Sequence, residues 1–246
     1  MERFKKMISY PLSIVFYMCF GLTLVIFHPL QWLGKNIGGA SIHRGVVNIM
    51  NLFLLRCLHL LGASISFKNN HKLPINRPLI IVSNHQSMFD IPLLSWYLRK
   101  NKPKFISKIE LGKGIPSISY NLKHGDNVLI DRKNPKQSIP ALATFAKFIA
   151  EHNFSAVIFP EGTRSRDGKL KPFAPTGLKI LLKKAPDALI VPVAITNSWK
   201  FLRYGNFPMG LGVHLKLEVQ EPLINDKEPE ILLEKIEERI TLAIKT

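Results

Sequence analysis

The chain has 246 residues, and its 34 Lys and Arg outnumber its 17 Asp and Glu, which gives a formal net charge of +17. The length suits one domain plus an appendage, and the charge favours anionic partners such as acidic lipid headgroups, with a solvated basic surface as the alternative. Nucleic-acid binding is not expected, because no motif orders a helix or an aromatic platform for it, and two isolated cysteines argue against a disulfide framework or a zinc site.

The first 65 residues are predicted to form two apolar helices. Residues 7–27 are uncharged and long enough to span a bilayer, whereas residues 46–65 carry polar and charged side chains that lipid would not tolerate unshielded. Basic residues flank both segments, so their distribution gives no orientation. We therefore expect a two-helix membrane-associating hairpin that lies in one leaflet, shaped by Pro11 and a break at His28-Pro29. A single span and a helical core unit without lipid contact are the alternatives.

A histidine and an aspartate follow the first buried strand of the remaining chain. The apolar run 79–83 predicts this strand, and residues 91–98 predict a helix after it. His85 and Asp90 then lie on a strand-to-helix turn, where a rigid scaffold can hold reactive groups. The carboxylate can accept a hydrogen bond from one imidazole nitrogen and leave the other free to take a proton. Alternatively, Asp90 caps the helix and His85 is only a polar turn residue.

Two later apolar runs also end in charged or flexible residues. Residues 127–131 predict a strand followed by Arg132, and residues 156–158 predict a strand followed by Glu161-Gly162-Thr163-Arg164. An arginine fork suits bidentate contact with phosphate or carboxylate, and glycine lets a ligand approach the backbone closely. An exposed Pro-Glu-Gly turn is the alternative interpretation of the later motif.

The whole pattern alternates between strand and helix periods. Strands are predicted near residues 63–68, 79–83, 104–107, 127–131, 156–160, 189–196 and 212–219, and helices near 90–100, 136–152, 173–184 and 228–244. This predicts an α/β fold with a mostly parallel sheet flanked by helices, in which ligands bind beyond the carboxyl ends of the strands. The predicted organisation is the amino-terminal hairpin over residues 1–65 and an α/β domain over residues 66–246.

The ordered motifs resemble those of a known family. Residues 84–90, 130–132, 159–165 and 191–193 are similar, in order, to the four sequence blocks of the glycerolipid acyltransferases, and most of all to the lysophosphatidate acyltransferases. The first and third blocks are specific motifs, whereas the fourth is little more than a core strand. The likeness extends over residues 65–225.

The resemblance implies an enzyme that transfers a fatty acyl group from a thioester to the sn-2 hydroxyl of lysophosphatidic acid, giving phosphatidic acid. An alcohol must lose its proton as it attacks, and an imidazole with an ordinary pKa near ~6.5 can take that proton at cellular pH. His85 is therefore expected to be the general base, oriented by Asp90. No covalent acyl-enzyme is expected, because the chain lacks a Gly-x-Ser-x-Gly elbow.

The phosphate of the acceptor needs cations. Arg164 is the first candidate and Arg132 the second, while Lys108 is the third because its segment looks like the lysine-bearing segment of the family. By the same resemblance, the neighbours of Arg164 would contact the acceptor, and Glu161 and Gly162 would seat its glycerol portion. The residues expected to bind it in this block are Glu161, Gly162, Thr163 and Arg164.

The remaining expectations concern partners and location. We expect no cofactor, with acyl-coenzyme A or an acyl carrier protein as co-substrate, and no metal, because His85 and Asp90 have no convincing third ligand. A backbone N–H near residues 160–163 would stabilise the oxyanion. The expected location is the cytoplasmic face of the cell membrane, against anionic phospholipid. The alternatives are acylation of glycerol 3-phosphate or another lysophospholipid, or a catalytically silent membrane-binding module.

Overall fold

The structure is a computed structural model that describes residues 2–226 and 228–245. Its helices are α1 (Glu2–His59), α2 (Asp90–Tyr97), α3 (Ile118–His124), α4 (Pro135–His152), α5 (Pro175–Lys184) and α6 (Pro229–Lys245). Its strands are β1 (Ser64–Asn69), β2 (Leu79–Ser83), β3 (Pro103–Lys108), β4 (Val128–Ile130), β5 (Ser155–Ile158), β6 (Leu189–Thr196) and β7 (His214–Val219). Every predicted strand is present, with its ends displaced by at most two residues.

The described strands form one sheet in the order β1-β7-β6-β2-β5-β3-β4. Neighbouring strands run parallel except β6 and β7, which are antiparallel. The predicted α/β fold with a mostly parallel, helix-flanked sheet is therefore confirmed. Because β2, β5 and β3 run in the same direction as β6, the loops that follow them meet at one edge of the sheet.

Both faces of the sheet are covered, which explains why the central strand has no polar face. All five residues of β2 are buried, and alternate side chains point to opposite faces. Leu79 and Ile81 pack with α1 and α2, whereas Ile80 and Val82 pack with α4, α5 and α6. Burial of one such side chain contributes about 1.5–3 kcal/mol, so the strand that carries the first motif is firmly anchored.

Two helical segments in α1 fold back on each other at Gly39. This residue has φ 70° and ψ −168°, a conformation that only glycine adopts readily. Gln31 Nε2 lies 3.1 Å from Met50 Sδ, and Thr23 Oγ1 lies 3.9 Å from Cys57 Sγ, so the segments are antiparallel. The expected break at His28-Pro29 is wrong, because α1 continues as a helix through Pro11 and Pro29. Each proline removes one backbone hydrogen-bond donor from the helix.

The hairpin packs on the sheet domain through α2 and α3. Phe16 and Phe89 meet edge to face with ring centroids 5.8 Å apart. Ser117, which precedes α3, donates its hydroxyl to the carbonyl of Leu24 over 2.6 Å and its amide to Nδ1 of His28 over 3.0 Å. The sequence did not predict α3, because seven residues are too few to show a helical period.

The opposite face of α1 is apolar and exposed. Met7, Met18 and Ile37 are among its exposed large side chains. By length and composition α1 could cross a membrane. Contiguous exposed apolar surface of this kind is typical of a helix that contacts lipid or another protein.

Candidate active site

The turn between β2 and α2 holds His85 against Asp90. The imidazole Nδ1 lies 2.8 Å from Oδ2 of Asp90, whose carboxylate is fully buried. The same oxygen accepts hydrogen bonds from the backbone amides of Gln86 (2.7 Å) and Ser87 (2.8 Å). Asp90 therefore orders the turn and also contacts the ring. It does not cap α2, because the N-cap residue is Phe89 and no side chain bonds to the first amides of the helix. Because the carboxylate oxygen can only accept, the contact places the imidazole proton on Nδ1.

The second carboxylate oxygen of Asp90 is bound from another strand. Oδ1 accepts a hydrogen bond from the hydroxyl of Ser198, which follows β6, and Ser198 N donates to Gln86 Oε1 over 3.0 Å. Asn84 also joins the two strands, since its side chain exchanges hydrogen bonds of 2.8 and 2.7 Å with the backbone of Ile195. These contacts fix the turn after β2 to the end of β6.

The other ring nitrogen of His85 remains available. The ring stacks on Phe159, which follows β5, with centroids 4.2 Å apart and planes inclined by 20°. The side chain is 17% exposed, and among the described residues no group bonds to Nε2. The site can therefore take a proton from a group that approaches His85 from solvent.

Glu161 fastens the loop after β5 to the loop after β2. Its Oε1 accepts from the amide of His85 over 2.7 Å, and its Oε2 accepts from the amide of Lys171 over 3.0 Å. The amide of Ser165 in turn donates to the carbonyl of His85 over 2.8 Å. Burial raises the pKa of Glu161, and the two backbone donors oppose this shift. Both sides of the His85 backbone are thus held by one loop.

The predicted cations differ in their surroundings. The guanidinium of Arg132 donates to the carbonyl of Gly162, and burial lowers its pKa while the charge of Glu110 raises it. Arg164 is exposed, and its carbonyl accepts a hydrogen bond of 2.9 Å from Lys171 Nζ. Lys108 is exposed at the end of β3. Arg132 therefore supports the loop, whereas the charges of Arg164 and Lys108 have no ion-pair partner in the described part of the chain.

The backbone of the loop is shaped by Gly162. This residue has φ 67°, and apart from its chain neighbours no described residue has an atom within 4 Å of the position that a Cβ would take. Its amide donates to the carbonyl of Phe159 over 3.1 Å, so that amide is not available to an oxyanion. Thr163, next in the chain, is exposed.

Most of the predicted site residues lie at one edge of the sheet, together with three contributors that the sequence did not predict. His85, Asp90, Glu161, Gly162 and Arg132 converge, as expected for residues that follow parallel strands. Ser198, Lys171 and the stacking role of Phe159 were not predicted. Ser198 and Phe159 contact residues distant in sequence, and the contact of Lys171 with Glu161 depends on how the loop after β5 folds back. Within residues 2–226 and 228–245 no group of three or more His, Cys, Asp or Glu is placed to hold a metal ion.

The chain is similar to known proteins in sequence and in fold. Residues 64–196 match the family model described as Acyltransferase. A 1-acyl-sn-glycerol-3-phosphate acyltransferase of Limnanthes douglasii is 26% identical over 204 residues, which cover 83% of this chain and 68% of that protein. A protein of the same name from Helicobacter pylori strain J99 is 40% identical over 122 residues, or 49% of each chain. The crystal structure of the 1-acyl-sn-glycerophosphate acyltransferase PlsC of Thermotoga maritima superposes with a TM-score of 0.77 at 23% identity, covering 100% of this chain and 97% of that chain.

Proposed function

This chain belongs to the acyltransferase family, and we propose that it transfers a fatty acyl group from a thioester to the sn-2 hydroxyl of lysophosphatidic acid, giving phosphatidic acid. The observation that carries this proposal is the imidazole of His85, held through Nδ1 by a buried carboxylate and open at Nε2. The names of the relatives supply the acceptor, since those from Limnanthes douglasii and Helicobacter pylori are 1-acyl-sn-glycerol-3-phosphate acyltransferases.

The proposed reaction begins with proton removal. Nε2 of His85 takes the proton of the lipid hydroxyl as its oxygen attacks the thioester carbonyl. The imidazolium that forms lies against the Asp90 carboxylate, which stabilises it. As the tetrahedral intermediate collapses, the carbon–sulfur bond breaks and the imidazolium returns its proton to the departing thiolate. One ester forms, one thiol leaves, and the enzyme regains its starting state without an acyl-enzyme.

Exposed cations at this edge of the sheet would bind the phosphate of the acceptor. Arg164 is our first candidate, since it lies in the loop tied to His85 and its charge is not used within that loop. Lys108 would add charge at the end of β3. Glu161 and Arg132 would act chiefly by holding the loop, because both oxygens of Glu161 accept backbone amides and Arg132 bonds to Gly162. Thr163 and Gly162 would face the glycerol portion.

The apolar face of α1 accounts for access to a lipid substrate. We propose that the hairpin lies on the cytoplasmic face of the membrane, with residues 1–65 as the membrane-associating part and residues 66–246 as the catalytic domain. An acyl chain could then stay in lipid during reaction, which avoids a cost of about 0.8 kcal/mol for each CH₂ drawn into water.

A purified-protein assay tests the proposal. Lysophosphatidic acid is offered with acyl-coenzyme A or acyl carrier protein, and glycerol 3-phosphate and a choline lysophospholipid serve as competing acceptors. We expect phosphatidic acid to form fastest, and His85→Ala to lose activity by ~10² to 10⁴. Preference for another acceptor would refute the assigned substrate, and turnover that survives His85→Ala would refute the mechanism. No turnover of any acceptor would favour a silent membrane-binding module.

A further inference from the structure

A basic cavity lies between the hairpin and the amino ends of β3 and β4. Its wall is formed by residues around the Gly39 reversal and by the start of both strands, including His43, Arg44, Lys102, Lys104 and Asp126. The cavity measures about 30 Å³, which is room for about two water-sized atoms. That is enough for the two free oxygens of a phosphodiester, with the rest of the lipid outside the cavity.

Three cations from different elements gather at this cavity around one aromatic ring. Arg44 Cζ, Lys102 Nζ and Lys104 Nζ lie 5.9, 5.3 and 4.8 Å from the ring centroid of Phe154. Cations bind the face of an aromatic ring, but three of them at one ring repel each other. The arrangement is therefore suited to an anion between them.

The protein supplies little negative charge here. Among the described residues that line the cavity, Asp126 is the only carboxylate, and it lies 3.1 Å from the buried Nζ of Lys104. That ammonium also donates to the carbonyl of Gly125 over 2.8 Å. The guanidinium of Arg44 donates a hydrogen bond of 3.4 Å to Ser41 Oγ, and no carboxylate among the described residues pairs with it. The cluster keeps an excess of positive charge.

An unpartnered buried nitrogen gives an independent sign of a missing ligand. Nε2 of His43 finds no hydrogen-bond partner among residues 2–226 and 228–245, although the residue is only 2% exposed. Burial and the charges of Lys35 and Lys104 lower its pKa to about 4, so the ring is neutral and can donate an N–H. An unsatisfied buried polar atom destabilises the folded protein, and a bound acceptor would satisfy it.

The cavity is separate from the candidate active site. β3 begins beside the cavity and ends at Lys108, and a strand rises about 3.3 Å per residue. Lys104 and Lys108 are therefore about 13 Å apart along the strand. One small phosphate group cannot occupy both places.

We propose that this cavity binds the phosphate of an anionic phospholipid that is not the reacting substrate. The lipid source is favoured because the exposed apolar residues Ile37 and Ile42 flank the Gly39 reversal, beside the cavity wall. Binding would fix the hairpin, the loop before β3 and the loop before β4 against one another. The inference rests on the proposed membrane association of the hairpin, but not on which acceptor is acylated.

The test follows His43 directly in the full-length protein held in neutral detergent. Histidine side chains are labelled with ¹³C, and the loss of one signal in His43→Gln assigns its resonance. The probes are inorganic phosphate, short-chain phosphatidylglycerol below its micelle concentration, and short-chain phosphatidylcholine. We expect a saturable shift with phosphatidylglycerol and a weaker one with phosphate. A shift with phosphate alone would overturn the lipid source, and no shift with either would overturn the site.

A charge variant provides the matched comparison. Arg44→Gln with Lys102→Gln should weaken the phosphatidylglycerol affinity about tenfold or more, whereas Lys183→Gln with Lys184→Gln removes the same charge from α5 and should change it less than about twofold. Acyl transfer to a soluble short-chain acceptor should be equal in both variants. An equal loss of phosphatidylglycerol affinity in both double variants would show that the lipid is attracted only by the overall positive charge of the protein, and would overturn the site.

Discussion

The hydroxyl of Ser198 donates a hydrogen bond to Oδ1 of Asp90, although the two residues are 108 positions apart in the chain. The other carboxylate oxygen, Oδ2, serves the amides of the turn and the ring of His85. A buried carboxylate needs a donor for each oxygen, because an unsatisfied one is costly. Ser198 thus completes the set that orients Asp90, and it acts on the imidazole only through that carboxylate.

Replacing Ser198 tests this positioning role. Ser198→Ala should lower kcat about tenfold, because Asp90 loses a hydrogen bond of ~1.5–3 kcal/mol to a charged group. KM for the acceptor should stay constant, and Ser198→Thr, which keeps the hydroxyl, should recover most of the rate. Steady-state kinetics and urea unfolding would be measured on all three proteins. Lower stability with an unchanged kcat would assign Ser198 to folding alone.

Asp90→Asn separates charge from orientation. An asparagine can place its oxygen where Oδ2 accepts the ring and the turn amides, and its NH₂ can donate to Ser198. We therefore expect the turn to survive while kcat falls ~10²-fold or more, since the imidazolium loses its counter-charge. Because the pair acts as a unit, adding Asp90→Asn to His85→Ala should cost little further activity. Additive losses of activity in the double variant would show that His85 and Asp90 act independently.

How far the sequence determines this site depends on how local each contact is. His85 and Asp90 share one turn, and Glu161 begins a loop after a parallel strand, so strand order alone brings them together. Ser198 could not be predicted, because its contact depends on β6 lying beside β2. The Gly39 reversal was also missed, since a lone glycine between apolar helices carries a weaker sequence signal than a proline. In both cases tertiary pairing decided the outcome.

The pH dependence of the unfolding free energy should reveal the raised pKa of Glu161. Burial raises its pKa above the ordinary value in the folded protein, so the folded state binds a proton more tightly than the unfolded state. The wild type should therefore gain stability relative to Glu161→Gln as pH falls through the folded-state pKa, and the difference should level off below the ordinary glutamate pKa of 4.5. Urea unfolding of both proteins between about pH 8 and pH 4 measures it. A difference that shrinks as pH falls would contradict the assignment.

The hairpin reversal makes a prediction about Gly39 with an internal control. Gly39→Ala should destabilise the protein by about 1–3 kcal/mol, because its φ and ψ exclude a side chain even though no atom lies within 4 Å of the added Cβ. Gly45→Ala also meets no atom within 4 Å, but it lies in regular helix and should be neutral or stabilising by up to ~1 kcal/mol. Denaturant unfolding in neutral detergent compares them. Equal effects at both positions would place the reversal elsewhere.

Replacing Arg164 and replacing Arg132 should have different effects on KM, kcat and stability. Arg164 is exposed, and its guanidinium makes no hydrogen bond within the loop. Arg164→Ala should therefore raise KM for lysophosphatidic acid about tenfold or more, because a charge-assisted contact is lost. The stability of the protein should not change. Arg132 bonds to the Gly162 carbonyl, so Arg132→Ala should loosen the loop and lower both kcat and stability. Arg164→Lys should recover only part of the affinity, because an ammonium lacks the bidentate fork. An unchanged acceptor KM in Arg164→Ala would remove Arg164 from the phosphate site and leave Lys108 as the cation to test.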